Sequence, residues 1–174
     1  TLAEGLALRR SSVRVAGGTY VESISLGGGI DVEGRCATLV VIDPHRNGTA
    51  EHADWYLQPR PGSDAALALG MMHVIVQEDR YDKEYVAQHT LGFAELRQRL
   101  AEYPPERVAA ITGIAADDIV ELARMYAGRQ PAAIRCGQGL QRHTNGGMMV
   151  RTISCLPALV GAWGFGPEGR YDEP

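Results

Sequence analysis

The chain has 174 residues, 45% of them hydrophobic and 22% charged, the composition of one globular domain rather than of a disordered segment. Its 17 Lys and Arg against 21 Asp and Glu leave a formal net charge of −4 with no basic run, so a nucleic-acid backbone is a poor partner. No apolar run nears the roughly 20 residues that span a bilayer, so no membrane partner is expected.

Residues 1–30 lack the continuous apolar stretch of a secretory signal, and any export signal would have to lie outside this chain. Cys36, Cys136 and Cys155 are far apart and form no C-x-x-C pair. That scatter argues against a disulfide framework, a zinc ribbon or an iron–sulfur cluster, and a reducing cytoplasm is the expected compartment.

Residues 1–35 differ from the rest, holding seven of the chain's 21 glycines. Val13-Arg14-Val15 and Tyr20–Leu26 read as two short strands joined across Gly17-Gly18, in a hairpin or irregular N-terminal arm. Residues 36–174 read as the α/β domain proper. Ala37–Ile42 is an unbroken apolar, β-branched run closed by Asp43-Pro44, the pattern of an internal strand of a parallel sheet.

Asp54–Leu57 makes a second short strand, stopped by the Pro59–Gly62 turn. Gly62 or Ser63 then caps a helix running to Gln77, apolar on nearly every side and therefore expected to be buried. Amphipathic helices follow near Asp82 and over Phe93, Leu96 and Leu100; Pro104-Pro105-Glu106 opens a short one that ends at Gly113. Asp117–Ala127 presents Ile119, Leu122, Ala123 and Tyr126 as one stripe, with Gly128 at its end. Pro131–Cys136 reads as another buried strand, and Met148–Gly161 as a last apolar helix bent at Pro157. Strands alternating with helices predict an α/β fold: a doubly wound, mostly parallel sheet with helices on both faces, the 37–42 and 132–136 strands both internal.

In such sheets ligands bind beyond the carboxyl ends of the strands. Asp43 follows Ile42 at one such end and can accept hydrogen bonds from a ribose diol, or simply form an Asx-Pro turn. Asp64, after Gly62-Ser63, can favour its helix macrodipole, or accept paired N–H donors such as a guanine edge presents, with Gly62 allowing close approach. From position alone the helix-start role is the stronger of the two. Gly137-Gln138-Gly139 follows the third strand, but Arg142 stands where a dinucleotide fingerprint needs its last glycine. Gln138 and His143 are cofactor partners or plain loop residues on this evidence. No phosphate-binding G-x-x-x-x-G-K-[ST] loop and no G-x-S-x-G nucleophile elbow is present. The five histidines lack zinc-type spacing, and His73, inside the apolar helix, is better read as a satisfied core residue.

Taken in order, Val40-Val41-Ile42-Asp43-Pro44-His45, Ala53-Asp54 and Arg60-Pro61-Gly62-Ser63-Asp64-Ala65-Ala66-Leu67 resemble the molybdopterin-guanine-dinucleotide oxidoreductases, the family of formate dehydrogenases, dissimilatory nitrate reductases and dimethyl sulfoxide reductase. The resemblance continues through Thr90–Phe93, Tyr103–Val108, Ile111–Gly113, Gly137–Gly139, Arg142-His143 and Asn145-Gly146 to Gly161. His45 stands where the family usually has an arginine.

The resemblance implies the cofactor-domain fold of formate dehydrogenase and dimethyl sulfoxide reductase. It implies Asp43 at the ribose of one guanosine and Asp64 at its guanine, with Ile42, Pro44, His45 and Gly62 around them. Gly137 and Gln138 would then lie near the pyrophosphate or pterin of molybdopterin guanine dinucleotide. The metal ligand (for molybdenum or tungsten), an iron–sulfur domain and the remaining domains or subunits would come from outside this chain, which alone is expected to be inactive. The competing expectations are a non-catalytic scaffold domain of the same superfamily and a generic nucleotide-binding module.

Overall fold

The computed structural model describes residues 13–14, 19–23, 32–33, 38–129, 132–166 and 169–170, the side chains within 38–129 and 132–163. In chain order the elements are β1 (Val13–Arg14), β2 (Thr19–Ser23), β3 (Val32–Glu33), β4 (Thr38–Ile42), β5 (Trp55–Leu57) and α1 (Asp64–Gln77). Four helices follow: α2 (Lys83–His89), α3 (Phe93–Leu100), α4 (Pro105–Thr112) and α5 (Ala116–Gly128). The chain then forms β6 (Ala132–Cys136), α6 (Gly146–Leu159) and the short antiparallel pair β7 (Phe165–Gly166) and β8 (Gly169–Arg170).

The fold is α/β, with a short four-stranded sheet in the order β5-β4-β2-β6 and every pair in it parallel. Val40 and Val41 point to opposite faces of β4, and both are 0% exposed. This strand is therefore covered on both sides, as its unbroken apolar run requires.

Two expectations about strands are corrected. Thr19–Ser23 does not fold back on Val13–Arg14 as a hairpin; it runs parallel between β4 and β6, while β1 pairs in parallel with β3. Turn glycines promote a local hairpin only when no better partner exists, and here β2 gains a neighbour on each side from far along the chain. The 132–136 strand is parallel as expected but terminal among the described residues, not internal. Its residues are mostly half-buried or exposed beyond Ala132, and Arg135 interrupts the apolar run.

α1 is the organising helix, packed against α3, α4, α5 and α6. Leu67, Ala68, Met71, Met72, Val74, Ile75 and Val76 are buried around its circumference, which matches its lack of a polar face. His73 Nδ1 lies 2.8 Å from the Leu100 carbonyl oxygen, so this histidine is the satisfied packing residue its setting suggested. α5 buries the expected stripe of Ile119, Leu122, Ala123 and Tyr126, each at 0% exposure. A bidentate contact from Arg124 to Glu78, with Nε donating to Oε2 at 3.0 Å and Nη2 to Oε1 at 2.6 Å, ties α5 to the end of α1. That pairing, aided by Arg80, holds the Glu78 carboxyl at about 2. α2 starts at Asp82, whose carboxylate accepts the Tyr85 N–H, while the Asp82 N–H donates to Leu159 and fixes α2 to the end of α6. Among the described residues no helix is long and apolar enough to cross a membrane.

Candidate functional site at the carboxyl edge of the sheet

Parallel strands end on one side, so Ile42, Leu57 and Cys136 bring their following loops to a common edge. The first of these loops begins with Asp43, which is 5% exposed. Its Oδ1 accepts the His45 N–H at 2.7 Å and its Oδ2 accepts from Asn47 Nδ2 at 3.3 Å. That is the Asx-Pro turn, and it occupies about two of the roughly four acceptor positions of a carboxylate. The Asp43 backbone is held as well: its N–H donates to Leu57 at 3.2 Å and its carbonyl accepts the Tyr56 hydroxyl at 2.8 Å. Arg46 lies over the Tyr56 ring, 5.6 Å from its centre. Pro44 and His45 are exposed at the rim, and Gln58 Nε2 donates to the Pro44 carbonyl at 2.8 Å.

The second loop is the turn before α1. Gly62 has φ +78°, a conformation that costs a residue with a Cβ and that glycine adopts freely. A Cβ there would sit 3.4 Å from His143 Nδ1 and 3.8 Å from the Met149 methyl, so the start of α6 closes over this turn. Ser63 donates its hydroxyl back to the Arg60 carbonyl at 2.6 Å instead of capping the helix. Asp64, at the first position of α1, is half-buried.

Burial raises the Asp64 carboxyl above the usual carboxylate range; its own backbone N–H and nearby His143 oppose the rise, and the Asp43 charge adds to it. Burial likewise raises Asp43, against the His45 N–H. Asp64 thus senses the charge of Asp43 at one edge. Among the described residues no other side chain donates a hydrogen bond to Asp64, so both of its oxygens keep acceptor capacity. Beneath it lies a cavity of about 40 Å³, walled by Ile42 and Ile134 of the sheet, Leu67 and Met71 of α1, and Ile153 and Leu156 of α6. A larger open groove of about 650 Å³ along α5, from Asp117 to Arg129, includes none of these residues.

The third loop places Gly137, half-buried, and Gln138, exposed, directly after β6. The loop then makes a 3₁₀ turn over Leu140–Arg142 that delivers His143 to Gly62. Cys136, at the end of β6, is near enough to Asp64 that the carboxylate helps burial to raise its thiol. Cys136 and Cys155 are free thiols, and Cys36 lies outside the described residues.

The structure therefore joins Ile42, Asp43, Gly62 and Asp64 into one cluster. It leaves Pro44, His45 and Gln138 exposed. Asn47, Tyr56 and the seat of His143 on Gly62 escape sequence reasoning. Of these only Asn47, four residues after Asp43 in a polar loop, leaves a local signal.

The sequence profile of the molybdopterin oxidoreductase family matches residues 30–170. The probable oxidoreductase YoaE of Bacillus subtilis is 49% identical over 127 residues, 73% of this chain and 19% of that protein. Formate dehydrogenase H of Escherichia coli is 41% identical over 128 residues, 74% of this chain and 18% of the enzyme. The solved structure of acetylene hydratase from Pelobacter acetylenicus superposes with a TM-score of 0.71 at 43% identity, covering 74% of this chain and 18% of that one. The chain thus spans about a fifth of the length of the relatives it matches.

Proposed function

Since the chain belongs to the molybdopterin oxidoreductase family, we propose that it holds the guanosine end of molybdopterin guanine dinucleotide within a larger enzyme. One observation carries this reading: two desolvated carboxylates, Asp43 and Asp64, meet at the carboxyl edge of a parallel sheet beside a glycine of positive φ. The residues present fit the group. Asp64 keeps acceptors for the adjacent N1–H and N2–H₂ donors of guanine, and Asp43 keeps acceptors for ribose hydroxyls beyond those its turn consumes. Gly62 supplies the positive φ of the turn that presents Asp64, with Ile42 beneath and Pro44 and His45 at the rim. Gly137 and Gln138, on the loop after β6, would meet the pyrophosphate or pterin.

When bound, the cofactor supplies two-electron redox chemistry at molybdenum or tungsten, whose ligand comes from elsewhere in the enzyme. This chain's own part is to bind, orient and select. The sheet belongs to a doubly wound layer with helices on both faces, within an α/β domain that takes in β2 as well as residues 36–174. The remaining domains or subunits, an iron–sulfur domain among them, complete a cytoplasmic enzyme. Relatives bear names as different as formate dehydrogenase and acetylene hydratase, so the reaction is chosen outside this stretch. A scaffold domain would have no use for a buried and a half-buried acceptor with open valence at one edge, and we therefore favour the cofactor reading.

Asp64→Asn tests it. The amide turns one acceptor into a donor that faces a donor, which should cost about 2–4 kcal/mol of cofactor binding, roughly 30- to 1,000-fold. Asp43→Asn should cost less, because an amide oxygen still accepts from one hydroxyl. The measurement is molybdenum and releasable GMP per holoenzyme. Unchanged content in Asp64→Asn, or equal retention of an adenine dinucleotide, would return Asp64 to a helix-start acid.

A further inference from the structure

We propose that Arg60 is a positioning residue for the Asp64 carboxylate: it clamps the turn that carries Gly62 and Asp64 onto the C-terminal end of α4 and does not itself take up a phosphate. The inference rests on the guanosine-site reading above. Arg60 Nη1 donates to the Ala110 carbonyl at 2.6 Å and to the Ile111 carbonyl at 3.2 Å, and the Arg60 backbone N–H donates to Thr112 at 2.7 Å. These are last-turn carbonyls of α4, which lack partners inside their own helix, and a cation at this end also matches the helix dipole.

Gly113 lies beside this guanidinium. It ends α4 at φ +81°, and a Cβ there would lie 3.6 Å from Arg60 Nε. From Arg60 the restraint passes forward along the turn. The Arg60 carbonyl accepts both the Ser63 hydroxyl at 2.6 Å and the Ser63 N–H at 3.1 Å, and Ser63 is buried immediately before Asp64. Three successive residues of α4 thus anchor one end of a turn whose other end is the guanine acceptor. Nη1 is spent on carbonyl oxygens, which closes the end-on Nη1–Nη2 fork to a phosphate, and Nε, of the remaining side-on pair, lies against Gly113.

The test compares Arg60→Met with Arg60→Lys in the holoenzyme, reading molybdenum and GMP retained per folded protein after extended dialysis, with melting temperature measured in parallel. Arg60→Met should lose cofactor roughly 3- to 10-fold faster than the parent, the scale of one or two lost hydrogen bonds. Arg60→Lys, which still brings a charged donor to the helix end, should restore most of the retention. A purely structural role would lower the melting temperature with retention unchanged, and that result overturns the proposal. Equal loss in the Lys and Met variants would instead mark direct bidentate contact with the cofactor and overturn it too. Should Arg60→Met not fold, Arg60→Gln, which keeps one neutral donor, serves in the same comparison. Asp64→Asn run alongside separates the two claims. If it keeps its cofactor, the site reading falls and this one with it; if it loses cofactor while Arg60→Met does not, only the clamp falls.

Discussion

Asp43 and Asp64 have the same side chain and different work to do. Asp43 spends part of its carboxylate on His45 and Asn47, so its acidity is set by burial against two donated hydrogen bonds. Asp64 is less supported, with its own N–H and His143 opposing burial and the Asp43 charge. In the protein without ligand, a raised carboxyl favours its protonated form. Stability from that form is present at low pH and is lost as pH rises past the ordinary carboxylate range toward the raised value. A bound guanine edge reverses the preference, because its N–H donors need the ionised acid. Cofactor retention should therefore be strongest near neutral pH and fall as pH drops through the raised range of Asp64. Asp64→Asn should flatten that acid limb. Cofactor release followed across pH 4–8 gives the comparison, and an unchanged limb in the variant would assign the titration elsewhere.

At the scale of elements, α1 reaches α4 only because Gly70 has no side chain. A Cβ there would lie 2.9 and 3.0 Å from the two methyls of Val108, which is 0% exposed and has nowhere to move. Alanine is worth about 1 kcal/mol over glycine in a helix interior, while overpacking a tight core costs about 1–3 kcal/mol. The clash should win, so Gly70→Ala is expected to destabilise by up to about 2 kcal/mol in chemical denaturation. Adding Val108→Ala removes the obstructing methyls, and the double variant should be less destabilised than the sum of the two singles. Strict additivity would mean that α1 and α4 do not meet at this point.

The whole molecule is a sheet edge with a helical body beneath it, and it matches about a fifth of its relatives' length. A ligand gripped at that edge by β4, α1 and the loop after β6 ties together segments far apart in sequence, so binding should stabilise them as one unit. Stripping the cofactor from the holoenzyme should lower its melting temperature. A guanosine nucleotide at 100 times its dissociation constant should return about 2.7 kcal/mol of stability, and an adenosine nucleotide at the same concentration little. Scanning calorimetry of the three states checks this. Equal protection by both nucleotides would show that the base is not read at Asp64.

Local pattern by itself determined much of this molecule. The Ile119–Tyr126 stripe, the apolar circumference of α1 and the β-branched run of β4 state their own burial, because helix and strand periodicity is written into neighbouring residues. The candidate positions of the two aspartates were legible for a related reason: Asp43 directly follows a predicted strand and Asp64 opens a predicted helix. What only the tertiary structure decided is how segments distant in sequence meet. Thr19–Ser23 looked like a hairpin arm beside Gly17-Gly18, yet its partners are Thr38–Val41 and Ala132–Cys136. Nothing near Gly62 announces His143, and Arg60 finds its carbonyls 50 residues away. Periodicity spans one turn or one pleat, whereas such contacts are selected by packing and by the need of buried polar groups for partners, and both depend on the assembled core.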